Sequence, residues 1–401
     1  MVDFALPEEV VDLQKLAREF AISEIRPAEA ELDAMRDPEA AFTSETYRSV
    51  VKKMHEIGLH KTTVPSESGG LGLSGVASYV IEEELAFGGT GLASRALIAP
   101  IGAAVIAGSG IAAKHPFYKD YVEAFVEDTE GKHSGCWAIT EPGRGSDFLE
   151  IDGETTFSTT AVHNPANGTW KINGAKAAWV TNGWEADIIL LMATARPDMG
   201  MEGTAVFLLP GDLPGISRGR PLDKLGMRAL NQAEIFFDEV EVPEEFLLFD
   251  AGPAYPMLLE MIVTGGNTAV ATLAVGAARA AYETALQYSK ERVQGGKAIF
   301  EHQLIAMKLF DAFRDIEAAR ALIWKSAWLM ESNRPDLRIS FAARSMACNM
   351  AMRVTAEMVQ VLGGYGISKE YPVEKFYRDV KLLQIMDGTL ERISLTAAAR
   401  L

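Results

Sequence analysis

The 401-residue chain reads as a multidomain α+β protein, helical at both ends with a β domain between. Three observations carry that expectation. Apolar residues recur at helical spacing through the first third. Helical periodicity fades near Gly135, and short β-prone runs replace it until about Val242. Helical texture then returns after Pro243 and holds to the end. The domains expected are an all-helical one over 1–132, a β domain of barrel or sandwich type over 133–244, and a helical bundle over 245–401.

Taken in order, the N-terminal stretch places Pro7 at a plausible first helical position. Val10, Leu13, Ala17 and Phe20 follow at helical spacing, so residues 7–35 predict an amphipathic helix. Further helical patterns cover 45–58, 75–87 and 99–127, with glycine-bearing loops between them. The β-prone runs are Thr155–His163, Thr169–Ile172, Ile188–Thr194, Thr204–Leu209 and Ala233–Phe237; Asn167-Gly168 between the first two predicts a type I′ hairpin. In the last third, Ile305, Leu309, Phe313, Ile316, Ala319 and Ile323 mark one face of a long helix, and Asp336 begins another. Long helices with apolar faces pack as a bundle.

Composition excludes several functions. A formal net charge of -17 and a pI near 4.9 argue against nucleic-acid binding as the main activity, while leaving room for a local basic phosphate site. Cys136 and Cys348 are too few for a disulfide framework or a metal cluster, so no metal is expected and buried structural thiols are. The start MVDFALPEEV has neither the charge nor the apolar run of a signal peptide. No apolar run in the sequence approaches the ~20 residues of a membrane span. A soluble, cytoplasmic protein is the expectation.

Gly70-Leu-Gly-Leu-Ser-Gly75 fits G-x-G-x-x-G, and Gly108-Ser-Gly-Ile-Ala-Ala113 fits its alanine variant. Both lie in the helical N-terminal third, outside any strand–helix–strand unit, and read as loop or helix-end glycines. Longer stretches say more. Cys136-Trp-Ala-Ile-Thr-Glu-Pro-Gly-Arg-Gly-Ser-Asp147 opens the β domain as a strand and a Pro-Gly turn rich in hydroxyls and amides. Asn173-Gly-Ala-Lys-Ala-Ala-Trp-Val-Thr-Asn182 sets an aromatic ring and a hydroxyl two residues apart on a strand, where a tryptophan read alone belongs to the core. Arg292-Val-Gln-Gly-Gly-Lys-Ala-Ile-Phe-Glu-His-Gln303 reads alone as a solvated helix end. Gln360-Val-Leu-Gly-Gly-Tyr-Gly366, Glu370-Tyr-Pro-Val-Glu-Lys-Phe-Tyr-Arg-Asp379 and Ile385-Met-Asp-Gly-Thr389 read alone as helix, glycine turn and helix.

In order and at compatible separations, these stretches resemble the signatures of the FAD-dependent acyl-CoA dehydrogenases. The family patterns are T-E-P-x-x-G-S-D, met from Thr140 to Asp147, and N-G-x-K-x-W-I-T-N, met with one extra residue before Trp179. R-x-Q-F-G-x-P-I-x-x-x-Q follows from Arg292, and Q-x-x-G-G-x-G, E-Y-P-x-E-x-x-x-R-D and I-Y-E-G-T from Gln360 onward. The resemblance spans nearly the whole chain and implies that family's fold, with a C-terminal four-helix bundle. It implies oxidation of an acyl-CoA to enoyl-CoA, with electrons leaving to an electron-transfer flavoprotein.

By the same resemblance, Trp137, Ile139, Thr140, Trp179 and Thr181 would surround the flavin ring, and Ser146 would lie near the phosphates or CoA. Arg292 would meet the pyrophosphate through paired guanidinium bonds. Gln360, Gly363 and Gly364 would come from a neighbouring subunit, which makes a homo-oligomer, usually a tetramer. Thr389 and Glu391 would also touch the cofactor, while Ser146, Met386 and Gly388 would line the substrate. Asp387 would remove the α proton as flavin N5 takes the β hydride, with the thioester carbonyl polarised by a ribitol hydroxyl and the backbone amide at the base.

The departures matter. Asp387 replaces the usual glutamate and is about 1.3 Å shorter, so backbone or substrate must close the gap. Its bland reading is a helix N-cap. Gly266 stands where some branches carry the base, Asn267 replaces an arginine, Met386 a tyrosine and Gly295 a phenylalanine. These changes point to a bulky, branched or alicyclic acyl group. Arg95 reads as a surface arginine. Three alternatives are kept: an oxidase or monooxygenase of the same fold on a non-thioester substrate, a flavin-bearing nucleic-acid binder, and a flavin-binding relic without turnover.

Overall fold

The computed structural model describes residues 5–73, 75–149 and 155–401, and shows the helical, β, helical order; Ser74 of the first glycine stretch lies outside the described residues. The N-terminal helices are α1 Glu8–Phe20, α2 Arg26–Ala34, α3 Pro38–Thr43, α4 Glu45–Glu56, α5 Gly75–Gly88, α6 Thr90–Ile98, α7 Ile101–Ser109 and α8 Pro116–Glu127. α1 buries Val10, Ala17 and Phe20 and runs through a π-turn into α2. The single helix expected over 99–127 is instead α7 and α8. Gly110 ends the first at φ 74°, and Pro116 starts the second, with the His115 ring accepting the Phe117 amide.

The middle domain holds β1 Gly135–Ala138, β2 Thr160–Asn164, β3 Thr169–Thr181, β4 Ile188–Thr194, β5 Thr204–Pro210, β6 Ile216–Arg218, β7 Gln232–Pro243 and β8 Leu247–Phe249. Their order is β6-β7-β3-β2-β4-β5-β8, with β1 parallel on β4. β8 pairs with β5, so the sheet continues past residue 244, the boundary expected from sequence. The β2–β3 turn is not type I′: Asn164 pairs with Thr169 across four residues, and Gly168 alone of the Asn-Gly pair takes a left-handed φ (66°). Cys136 lies buried in β1 and Cys348 in the C-terminal bundle, both as free thiols.

The C-terminal bundle is α9 Tyr255–Glu291, α10 Gln303–Glu331, α11 Leu337–Leu362, α12 Val373–Leu383 and α13 Leu390–Ala398. Asp336 caps α11, its carboxylate accepting the Arg338 amide. α9 is the central rod. Its alanines Ala269, Ala271, Ala274, Ala277 and Ala278 are buried, and a Cβ at Gly276 would lie 2.6 Å from Ala86 on α5, so this crossing needs glycine. By length and composition, Thr90–Ser109 and Tyr255–Glu291 could each cross a bilayer, contrary to the sequence expectation. Their apolar windows are 61% and 67% buried within the fold, which accounts for that composition without a membrane. On α10, Leu309, Ile316, Ala319 and Ile323 face the core as spaced. Phe313 does not, and is exposed beside Leu304, Met307 and Phe310.

The helical ends are tied together by buried charge. The Lys375 ammonium lies 2.6 Å from both Glu29 on α2 and Asp379 on α12. Asp379 also accepts Thr90 Oγ1 (3.1 Å) and the Met227 amide (2.6 Å), and Glu29 accepts the Leu92 amide. Arg378 chelates Asp33 through both terminal nitrogens and is braced by Glu374. The E-Y-P-x-E-x-x-x-R-D stretch is therefore a three-way junction of N-terminal helices, β domain and bundle. Removing one member strands the others as unpaired buried charges. Lys375→Met is expected to cost roughly 3–5 kcal/mol in thermal or urea unfolding, whereas Lys369→Met, exposed at the rim, should change little; equal effects would contradict the junction.

Candidate active site

The turn between α12 and α13 carries the carboxylate. Asp387 adopts φ 53° and Gly388 φ 93°. The left-handed conformation costs an aspartate about 1 kcal/mol or more, so something must hold it. The fully buried Arg344 of α11 does so. It donates to the Asp387 carbonyl (3.0 Å), the Leu383 carbonyl (3.2 Å) and the Met386 carbonyl, and to Asn267 Oδ1 on α9 (2.5 Å). Asn267, which replaces the family's arginine, thus has a structural part here, as acceptor for Arg344.

These bonds take the backbone, and among the described residues the carboxylate has no paired cation. Burial pushes the Asp387 carboxyl above the usual aspartate range, with the Arg344 charge opposing. The bland reading of Asp387 as a helix cap is overturned: Thr389 caps α13, its Oγ1 accepting the Arg392 amide, and its own amide donates to Ser146 Oγ (3.0 Å).

The carboxylate reaches the wall of α9. A Cβ on Gly266 would lie 3.3 Å from Asp387 Oδ2, and one on Gly265 would meet nothing within 4 Å. The glycine at the position of the alternative base therefore faces the aspartate, with open space beside it. Met386 packs against the core, Gly388 closes on Leu149, where a Cβ would come to 3.0 Å, and Glu391 is exposed on the first turn of α13.

Two strands bring the aromatic residues. Trp137 in β1 is half-buried, edge-on to Phe148 (6.4 Å), with an indole N–H that has no partner among the described residues. Ile139 is buried and Thr140 partly so; the Thr140 carbonyl accepts the Ala177 amide of β3. Register shifts in β3 between Lys176 and Val180, and Trp179 within that stretch is 59% exposed. Thr181 Oγ1 accepts from Gln232 (3.3 Å). Beneath them, Lys176 is wholly buried against Glu141 (2.8 Å) and the Ile139 carbonyl (3.1 Å), while Glu141 also accepts the Ser158 and Thr159 amides. This pair locks the two β-domain motifs to each other.

A second cluster lies elsewhere. Arg292 caps the far end of α9, its guanidinium 5.8 Å over the Tyr365 ring. With Gly363 and Gly364 it lines a cavity of about 630 Å³. Gln360 is exposed on the last turn of α11, and its carbonyl accepts the Gly363 amide. Cβ atoms at Gly296, Gly363 and Gly364 would meet nothing within 4 Å, leaving bare backbone beside an arginine. Gly295 and Gly296, at φ 62° and 81°, form the turn of a short hairpin, which explains glycine in place of the expected phenylalanine.

Arg95 is not at the surface. It is fully buried, with its Nε 3.0 Å from Glu185, which also accepts from Tyr47. Sequence reading missed Arg344, Lys176 and Tyr79, whose hydroxyl donates to the Gly265 carbonyl (3.3 Å). Only Lys176 had a local signal, its place in the N-G-x-K stretch. Among the described residues no group of His, Cys, Asp and Glu is arranged to hold a metal.

Arg344→Lys keeps a charge but cannot span the same carbonyls. It is expected to cost about 1–3 kcal/mol in unfolding free energy and to speed hydrogen exchange at the Thr389 amide relative to the rest of α13. Unchanged exchange at Thr389 would contradict the clamp.

Comparison with known proteins matches this geometry along the whole chain. Models of the acyl-CoA dehydrogenase N-terminal, middle and C-terminal domains match residues 7–114, 136–240 and 261–401. The short-chain specific acyl-CoA dehydrogenase of Bos taurus mitochondria is 33% identical over 397 residues, covering 99% of this chain and 90% of that protein. The structure of butyryl-CoA dehydrogenase from Megasphaera elsdenii superposes with a TM-score of 0.85 at 31% identity, covering 100% of this chain and 99% of that one. A chain from the structural study of the electron transferring flavoprotein of Acidaminococcus fermentans gives 0.86 at 31% identity, covering 100% and 99%. The chain belongs to the acyl-CoA dehydrogenase family.

Proposed function

We propose that this acyl-CoA dehydrogenase converts an acyl-CoA to the α,β-unsaturated thioester with Asp387 as the base that takes the α proton. The observation that carries this is the Asp387 carboxylate, without a paired cation among the described residues, raised in pKa by burial and set against Gly266 with open space at Gly265. FAD is the family's cofactor, and the residues fit it. Trp179 presents an uncovered indole, Trp137 an unpartnered N–H, and Arg292 stands beside exposed glycine backbone. When bound, FAD supplies the acceptor for the β hydride. Arg344 holds the turn so that a short aspartate reaches where a glutamate otherwise would, and the Ser146–Thr389 bond ties that turn to the β domain.

The side-chain-free wall at Gly265 and Gly266 supports a branched or ring-bearing acyl group, which needs room beside the α carbon. An electron-transferring flavoprotein is the acceptor proposed, as named for the Acidaminococcus neighbour. A second copy of the chain is needed too. Arg292 lies twenty-six residues beyond Gly266 on the continuous α9, about 39 Å along its axis. That is farther than the pyrophosphate of a flavin whose ring faces Asp387 extends. Arg292, Gly363 and Gly364 would therefore serve the flavin of a neighbouring subunit, and the exposed Leu304, Met307, Phe310 and Phe313 of α10 offer apolar surface for assembly into a tetramer.

Anaerobic titration with straight, branched and alicyclic acyl-CoAs should bleach the oxidised flavin with at least one class. Asp387→Asn, which tolerates the same backbone, should slow bleaching about 10²–10⁴-fold. Bleaching by no thioester, with fast reoxidation in air, would favour an oxidase. The pH dependence has two signs. A raised folded pKa means the neutral form stabilises the fold at low pH, and that contribution is lost as pH rises through the raised value. Activity rises through the same value, so the acid limb of kcat/KM should lie above the ordinary aspartate pKa of about 3.9 and vanish from the residual activity of Asp387→Asn.

A further inference from the structure

A second buried carboxyl stands on α5, the helix whose Tyr79 bonds the Gly265 carbonyl, and the mechanism does not use it. Glu82 sits one turn beyond Tyr79 on α5, at 7% exposure, and its Oε1 is buried with no partner among the described residues. Its neighbours Glu83 and Glu84 are matched by Arg279, Arg320 and Arg18; Glu82 has no such cation. On the helix, Tyr79, Glu82, Glu83 and Ala86 share one face. Tyr79 donates to the Gly265 carbonyl, and Ala86 and the Glu83 backbone pack at Gly276, so Glu82 lies on the face turned to α9 between those contacts. Burial pushes the Glu82 carboxyl well above the usual carboxylate range, which favours its protonated form.

A buried acid without a partner is costly unless a ligand completes it. We propose that Glu82 is a specificity-determining residue on the far wall of the acyl chamber, where it exchanges hydrogen bonds with a hydroxyl on the acyl chain beyond the β carbon. A neutral carboxyl both donates and accepts, and a hydroxyl is its complement. An acyl chain ending in a carboxylate would find no cation at Glu82. This inference rests on the dehydrogenation proposed above.

The test compares hexanoyl-CoA and cyclohexanecarbonyl-CoA, each beside counterparts hydroxylated at single positions beyond the β carbon, in wild type, Glu82→Gln and Glu82→Leu. Wild type should prefer one hydroxylated thioester. Glu82→Leu should lose about 10- to 100-fold in that preference, while its flavin is still reduced by the plain acyl-CoA. Glu82→Gln, which also donates and accepts, should keep most of the preference. A wild-type preference for the plain chains, or a ratio unmoved by Glu82→Leu, would overturn the Glu82 assignment and leave dehydrogenation standing. A flavin reduced by none of the thioesters would overturn dehydrogenation and this assignment with it.

Discussion

The proposed active centre depends on one guanidinium that pairs with no carboxylate among the described residues. Arg344 is buried in α11 and spends its donors on the carbonyls of the α12–α13 turn and on Asn267 of α9. Those bonds fix the left-handed backbone of Asp387 against its intrinsic cost, and they join three helices beside its carboxyl. Because the positive charge binds backbone rather than side chain, the carboxylate is steadied in position and still has a raised affinity for a proton. A direct ion pair would do the opposite, lowering the pKa and weakening the proposed base.

Around this turn the fold separates rigid support from open surface. Glu141 and Lys176 form a buried pair under the two β-domain motifs, and Lys375, Glu29 and Asp379 form a buried trio between the helical ends. Trp179 and Arg292, by contrast, are left uncovered in the single chain, as residues are that meet a cofactor or a second copy. Along α9, Arg292 lies about 39 Å from the Gly266 wall that Asp387 meets.

Much of this was legible in the sequence because it rests on local pattern. The helical, β, helical order follows from periodicity, and the position of Asp387 from the stretch that ends in Gly388 and Thr389. What was not legible is tertiary. Arg344 is one arginine in a long helix, and only packing brings it to a turn forty-odd residues later. Arg95 looks solvated by type, yet Glu185 across the domain boundary lets it be buried. Phe313 fits the apolar face of α10 by spacing but falls on its exposed side. The Asn167-Gly168 turn failed as a type I′ hairpin because the strands stop pairing two residues sooner and leave a four-residue loop.

Exchange of the α proton into deuterated water is the most direct measure of whether Asp387, held by Arg344, is the base. An acyl-CoA analogue that cannot release a β hydride isolates that step from flavin reduction. Wild-type enzyme should wash deuterium into the α position, Arg344→Lys should do so more slowly with binding of the analogue retained, and Asp387→Asn should not do so above background. Exchange that survives in Asp387→Asn would place the base elsewhere and contradict the account.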